Sequence, residues 1–275
     1  MSFLNLSGYA FTSLCDIPAI KATLKELQAQ EPYAHLRGTI LLAPEGVNLF
    51  LSGDESACYA IIDQLCESTS LTREALQLKP SWSDEIAFNR FLVKIKKEII
   101  AFDEFYSPEH VAPYVSPAQL DEWYNHDADN IVLLDTRNTY ETELGTFKNA
   151  IVPPLKSFKD LRRADILETL EPYKSKKVIT FCTGGIRCEK AATFLKQQGF
   201  NDVYQLHGGI LRYFEETTAQ NYTGECFVFD KRVSLTPTLE TSDKHLCYAC
   251  RHPLTIEDMQ SPYYKECESC PYCHK

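Results

Sequence analysis

One cysteine of the chain is placed for chemistry. In "FCTGGIRCEK" (181–190), Cys182 is followed by Thr183, Gly184, Gly185, Ile186 and then Arg187. The run "KKVITFC" before it is apolar from Val178 onward, as a strand buried on both faces should be. After the glycines an amphipathic helical pattern begins near Arg187. The thiol therefore sits at a strand-to-helix turn, where a parallel sheet exposes its functional loops. Gly184 and Gly185 permit a tight curl, and the backbone N–H groups from Thr183 to Arg187 point into it, as they do around anions. Residues 176–196 carry Lys176, Lys177, Arg187, Lys190 and Lys196 against Glu189 alone. A thiolate gains from such charge and from the helix dipole, which predicts a depressed pKa and a nucleophile at Cys182. Cys188 has two readings: a core position on the helix, or a thiol that resolves an oxidised or persulfidated Cys182.

A second cysteine cluster has metal-ligand spacing. "CYAC" at 247–250 and "CESCPYC" at 267–273 supply Cys247, Cys250, Cys270 and Cys273 as C-x2-C-x19-C-x2-C. Two such knuckles suit a tetrahedral thiolate zinc site, with Cys267 and His274 as spare ligands. The site would be structural, tying down a tail with few core residues, and could also help to grip RNA.

The elements that must position these residues fall into three parts. At 275 residues the chain has room for roughly two domains. No apolar run approaches the roughly 20 residues of a membrane span. The start, "MSFLNLSGYAFTSLCD", lacks the pattern of a secretory signal, so the expected location is cytoplasmic. Eleven cysteines in a reducing compartment point to metal binding or catalysis rather than disulfides. A net charge of −10 argues against a nonspecific nucleic-acid coat, and no DNA partner is expected; an RNA enzyme with a local basic patch remains compatible. No flavin, haem or nicotinamide motif is present in the sequence.

The first hundred residues alternate strands and helices. "LSGYAFT" is a strand, and Asp16 with Pro18 opens a helix striped by Ile20, Leu24 and Leu27. "GTILLAPEGVNLFLSG" (38–53) is two strands about "APEG", and Asp54 caps a helix striped by Cys58, Ile61, Ile62 and Leu65. Strands near 75–80 and 90–100 complete a βαββαβ order, the ferredoxin-like sandwich on an antiparallel sheet. In "RFLVKIK", Arg90, Lys94 and Lys96 share one face, either a solvated face over a core or an RNA-facing strip. "FYSPEHVAPYVSPAQ" (105–119) is a linker by its three prolines, and Ser116–Pro117 opens a helix. "NIVLLDTR", "KKVITFC" and "DVYQLHGG" are then buried strands separated by helices, a small doubly wound parallel sheet. The predicted division is an α+β domain at 1–104, a linker and first helix at 105–125, an α/β domain at 126–220 and a cysteine-rich tail at 221–275.

The C-x4-R loop resembles the active site of the rhodanese family. "LLDTRNTYE", with Asp135 and Arg137, is similar to that family's first strand, and "VYQLHGGILRYF" to its closing strand and helix. This resemblance implies a nucleophilic Cys182 that can carry a persulfide; related phosphatases have one more residue between Cys and Arg. With "LLAPEGVNLFLSG" before the loop and "CFVFDKRV…CYACRHPLT…SCPYC" after it, the whole chain resembles the tRNA uridine(34) hydroxylase family. That implies oxygen-dependent formation of 5-hydroxyuridine at the wobble position, with molecular oxygen as co-substrate, the anticodon loop of tRNA as partner and Cys182 as the essential cysteine. Cys267 stands where that family often has glycine, and members often continue past the position of Lys275.

A thiolate adding at C6 of uracil would make an enolate at C5, which Arg187, Lys190 and the loop N–H groups would stabilise. Arg137 is expected to contact phosphate or base, while Tyr140, Tyr213 and Phe214 are either stacking residues or core. The competing readings are a sulfurtransferase carrying a persulfide on Cys182, and a non-catalytic RNA- or protein-binding module.

Overall fold

The computed structural model describes residues 2–103 and 111–274, which divide between two units, Met1–His110 and Val111–Lys275. In the first, β1 (Phe3–Phe11) leads to α1 (Ile17–Gln28), which starts where the Asp16 carboxylate accepts the Ala19 N–H and Pro18 occupies the first turn. The hairpin of β2 (Arg37–Ala43) and β3 (Gly46–Gly53) turns through Pro44 and Glu45, and α2 (Glu55–Thr69) follows Asp54. Ile20 and Leu24 of α1 and Cys58, Ile61, Ile62 and Leu65 of α2 are buried in one core with Leu4, Leu6, Ile40 and Leu49 of the sheet. With β4 (Lys79–Ser83) and β5 (Phe91–Ile95) the order is β4-β1-β3-β2-β5.

The first four strands pair antiparallel in the ferredoxin-like manner. The fifth departs from the expected antiparallel sheet: β5 runs parallel to β2, from Gly38↔Phe91 to Leu42↔Ile95. The reason is topological, because β4 and β5 occupy opposite edges and no hairpin joins β5 to its neighbour. Arg90, Lys94 and Lys96 lie exposed on this edge strand, and Val93 is buried against the core, but Ile95 is 45% exposed.

In the second unit a four-stranded parallel sheet has the order β6-β10-β9-β7, from β6 (Tyr114–Val115), β7 (Ile131–Asp135), β9 (Lys177–Phe181) and β10 (Asp202–Leu206). Around it stand α3 (Pro117–His126), α4 (Thr139–Thr142), α5 (Ala164–Leu170), α6 (Ile186–Gln197) and α7 (Gly209–Glu216). Ser116 caps α3 by accepting the Gln119 N–H. Every residue of β7 is buried, consistent with its uninterrupted apolar sequence.

Two expected boundaries shift. Part of the proline-rich stretch read as a linker, 104–110, lies outside the described residues, but Tyr114 and Val115 form an edge strand, pairing with Gln205 and Leu206 of β10. The start of the tail also belongs to this unit. β11 (Tyr222–Gly224) pairs with β8 (Gly145–Phe147), and Tyr222, Cys226, Val228 and Leu235 share a core with Phe147, Phe181 and Tyr213. Beyond them come only short pieces: β12 (Cys226–Phe227) with β13 (Ser234–Leu235), β14 (His245–Leu246) with β15 (Pro253–Leu254), and α8 (Ile256–Met259). No helix among the described residues is long and apolar enough to cross a membrane.

Candidate active site and metal centre

Cys182 follows the last residue of β9, and its turn feeds directly into α6. Gly185 is the N-cap of that helix at φ 100°, a left-handed conformation that glycine adopts without a Cβ penalty. Gly184 is different: its φ is ordinary and a Cβ there would meet nothing within 4 Å, so the curl requires only the second glycine. The Gly185 N–H donates to Cys182 Sγ at 3.1 Å, and the Arg187 N–H also reaches the sulfur. Thr183 turns away from the loop and donates its hydroxyl to the Phe227 carbonyl at 3.2 Å. Ile186 begins the helix, half-buried.

The loop is held from outside by the start of α7. The Ile210 and Leu211 N–H groups donate to the carbonyls of Cys182 and Thr183 at 2.9 and 3.1 Å. This approach is close enough that a Cβ on Gly209 would lie 2.5 Å from the Cys182 carbonyl oxygen and 2.7 Å from the Gly185 nitrogen. The "HGG" of the sequence is thus the part that clamps the thiol loop.

Burial alone would push the Cys182 thiol up. A hydrogen bond from Cys188, the positive charge of Arg187 and the backbone N–H groups of Arg187 and Gly185 outweigh it, taking the thiol down to about 6. Cys188, in the first turn of α6, moves the other way, raised by burial and by donating to Cys182. Arg187 is the cation that acts on the sulfur; Lys190, one turn along α6, is buried.

Neither arginine stands free to meet a substrate anion. Arg187 is 5% exposed and both its terminal nitrogens donate to Glu141, at 2.7 Å each. Glu141 sits in the capping box of α4 and also accepts the Asn138 N–H at 3.0 Å. Arg137, expected to contact phosphate or base, is fully buried: it grips Asp135 at 2.7 Å and the Gly145 carbonyl at 2.6 Å. Asp135 holds that guanidinium charged against burial, and Thr146 donates to the same carboxylate at 2.8 Å. Its place ties β7 to β8, which corrects the phosphate-contact role.

Of the aromatics, Tyr213 and Phe214 are core. Tyr140 is half-buried against Phe227, and Phe229, 42% exposed, has the Arg187 guanidinium 5.6 Å from its ring centre. Glu141, Gly209 and Phe229 were missed by sequence reasoning. Asn138-x-x-Glu141 carried a capping-box signal for the first, and "HGG" a glycine signal for the second; Phe229 had none.

The structure brings Cys247, Cys250, Cys270 and Cys273 together, all four sulfurs within 4.8 Å of one another. Cys247 lies 3.9 Å from Cys273, and Cys270 lies 3.6 Å from both Cys250 and Cys273. A tetrahedral site with Zn–S bonds of about 2.3 Å places its sulfurs about 3.8 Å apart, so this donor set fits zinc. Cys267 and His274 are not part of the four. Cys267 adopts φ 62°, the conformation for which glycine is the common occupant, and His274 stacks on Tyr263. His252, just beyond the first knuckle, bonds Glu143 at 3.2 Å, so the tail contacts the segment that carries Glu141.

Two family models match, an acylphosphatase-like domain designated UPF0176 over residues 3–99 and a rhodanese-like domain over residues 116–216. A rhodanese-related protein of known structure from Thermoplasma volcanium is 29% identical, covering 38% of this chain and 92% of its own, with a TM-score of 0.32. The tRNA uridine(34) hydroxylase of Cupriavidus necator is 42% identical, covering 99% of this chain and 97% of its own length. The protein of that name from Burkholderia cenocepacia is also 42% identical, covering 99% and 98%. At that identity over both chains, the protein belongs to the tRNA uridine(34) hydroxylase family.

Proposed function

We propose that the protein hydroxylates C5 of the wobble uridine of tRNA, in the cytoplasm, with Cys182 as covalent nucleophile and molecular oxygen as co-substrate. The observation that carries this reading is the Cys182 thiol, drawn down to about 6 at the mouth of a loop clamped by α6 and α7, in a chain whose relatives are named for uridine 34 of tRNA. Uracil C5 is a weak nucleophile until something adds at C6. The Cys182 thiolate adds there, and the enolate so formed presents C5 to oxygen. Gly185 and Arg187 N–H groups keep the sulfur anionic before the addition. Arg187 serves through Glu141 as a fixed charge behind the loop rather than as a ligand to the base. The base reaches the sulfur because anticodon loops can splay their bases out. Zinc on the four tail cysteines would be structural.

The test is nucleoside mass spectrometry of tRNA from cells lacking the gene and complemented with either the wild type or Cys182→Ser. Wild type should restore 5-hydroxyuridine and the variant should not; normal hydroxylation by the variant would discard the covalent scheme. The rhodanese-like match also favours a second reading, transfer of sulfur through a Cys182 persulfide. Robust thiosulfate-to-cyanide transfer with unchanged 5-hydroxyuridine would favour that reading over hydroxylation.

A further inference from the structure

Hydroxylation of a carbon by molecular oxygen leaves two electrons to be supplied, because one oxygen atom enters the product and the other leaves as water. We propose that Cys188 and Cys182 supply them as a dithiol, so that each turnover ends in a Cys182–Cys188 disulfide that an external thiol reduces. This rests on the hydroxylase reading and names its electron source.

The surroundings of Cys188 point to chemistry rather than packing. It is fully buried in the first turn of α6, its thiol donates to Cys182, and its own N–H bonds the Gly185 carbonyl at 2.9 Å. The Thr136 hydroxyl stands 4.0 Å from its sulfur, and the Thr180 hydroxyl also bonds it. Both hydroxyls favour its thiolate, which is the form that must react. Cys58 shows how a packing cysteine sits in this same chain: it is buried among Ile61, Ile62 and Leu65 of the first core, and its thiol reaches only the Leu4 carbonyl, at 3.8 Å. Cys226 is buried near the loop, but its thiol is directed at the Phe227 carbonyl, 3.7 Å away. Among the described residues, the thiol bonded to Cys182 is that of Cys188.

The electrons balance as follows. The Cys182 thiolate forms an S–C6 bond, and the electron pair at C5 attacks oxygen, giving a C5 hydroperoxide after protonation. The Cys188 thiolate attacks the outer oxygen, so that an S–O bond forms and the O–O bond breaks, leaving an oxygen on C5. Loss of the C5 proton restores the C5–C6 double bond and expels the Cys182 thiolate. That thiolate attacks the Cys188 sulfenic acid, the S–S bond forms and hydroxide leaves as water. In sum, uridine, oxygen and two thiols become 5-hydroxyuridine, a disulfide and water.

The experiment uses the reduced full chain, desalted free of thiol, with tRNA in aerated buffer, with and without dithiothreitol. Without dithiothreitol the wild type should stop near one 5-hydroxyuridine per chain, and peptide mapping should find Cys182 joined to Cys188 in about equal amount. Adding dithiothreitol should restart it. Cys188→Ser and Cys188→Ala, accepted only if their melts and Cys182 alkylation rates match the wild type, should lose roughly tenfold or more of the thiol-free yield. Many turnovers by the wild type without thiol would overturn the proposal, as would Cys188 variants that match it in both regimes. No 5-hydroxyuridine from the wild type even with dithiothreitol would instead defeat the hydroxylase reading beneath it, and this proposal with it.

Discussion

Both carboxylate oxygens of Glu141 lie 2.7 Å from the two terminal nitrogens of Arg187, and the pair is almost wholly buried. The arginine that marks the loop in the sequence is therefore neutralised from α4, and its influence on Cys182 is a balance of the two charges. Glu141→Gln keeps the shape but leaves the guanidinium uncompensated. Removing one partner of a buried pair costs about 3–5 kcal/mol. The variant should melt earlier, and the Cys182 thiol should titrate lower than in the wild type because Arg187's charge now acts alone. Denaturant melts and pH-dependent alkylation measure both; an unchanged melt would mean the pair contributes nothing to the fold.

The depressed Cys182 thiol sets a pH signature. Against an ordinary value of 9.0, its value of about 6 means that the rate of Cys182 alkylation should rise to half its plateau near pH 6. In Arg187→Met the midpoint should move upward, since the burial that opposes the thiolate remains. The sign for stability follows from linkage: the folded chain holds fewer protons than the unfolded one between about pH 6 and 9. This group's contribution is thus complete above about 9 and lost as pH falls through about 6. Cys188, shifted up, acts with the opposite sign only above about 9. A midpoint near 9 in the wild type would remove the basis for an activated nucleophile.

Gly209 turns at φ 67° with its Cα against the carbonyl of Cys182. Gly209→Ala brings a Cβ to 2.5 Å from that oxygen and strains the left-handed backbone, at a cost of about 1–3 kcal/mol. The loop must then move off α7, so the variant should lose modification activity more than tRNA binding. Comparing the hydroxylation rate with tRNA affinity separates the two; equal losses in both would point to general unfolding instead.

What could be read from the sequence was local, and what could not was long-range. Cys182, its glycines and the two Cys-x2-Cys knuckles announce themselves because their chemistry depends on near neighbours. The fate of a charge does not: Arg187 meets a carboxylate 46 residues away, and Arg137 is sequestered by Asp135, two residues before it. Both arginines therefore looked available for substrate. Edge strands failed for a different reason. β6 is two residues long, too short for any periodicity, and it forms because β10 offers Gln205 and Leu206 an open edge. The same holds for β11, whose pairing with Gly145–Phe147 drew the first residues of the tail into the second core.

The tetrathiolate of the tail has a consequence that separates folding from chemistry. Its core is small: Cys247, Leu254 and Cys270, with Met259, Tyr264 and Cys273 packed beside them. Such a cluster buries too little apolar surface to order the strands and turns around it, so metal binding must contribute most of the folding free energy there. The purified chain should carry about one zinc, and Cys270→Ser, which removes a fully buried ligand, should lower that content. Chelation should melt the tail in a separate low-temperature step while the core containing Phe147 and Phe181 unfolds later. Because His252 bonds Glu143, next to the turn that holds Arg187, the chelated chain should also show a modest change in Cys182 alkylation. A chain that melts in one unchanged step with or without chelator would show that the four cysteines do not hold a structural metal.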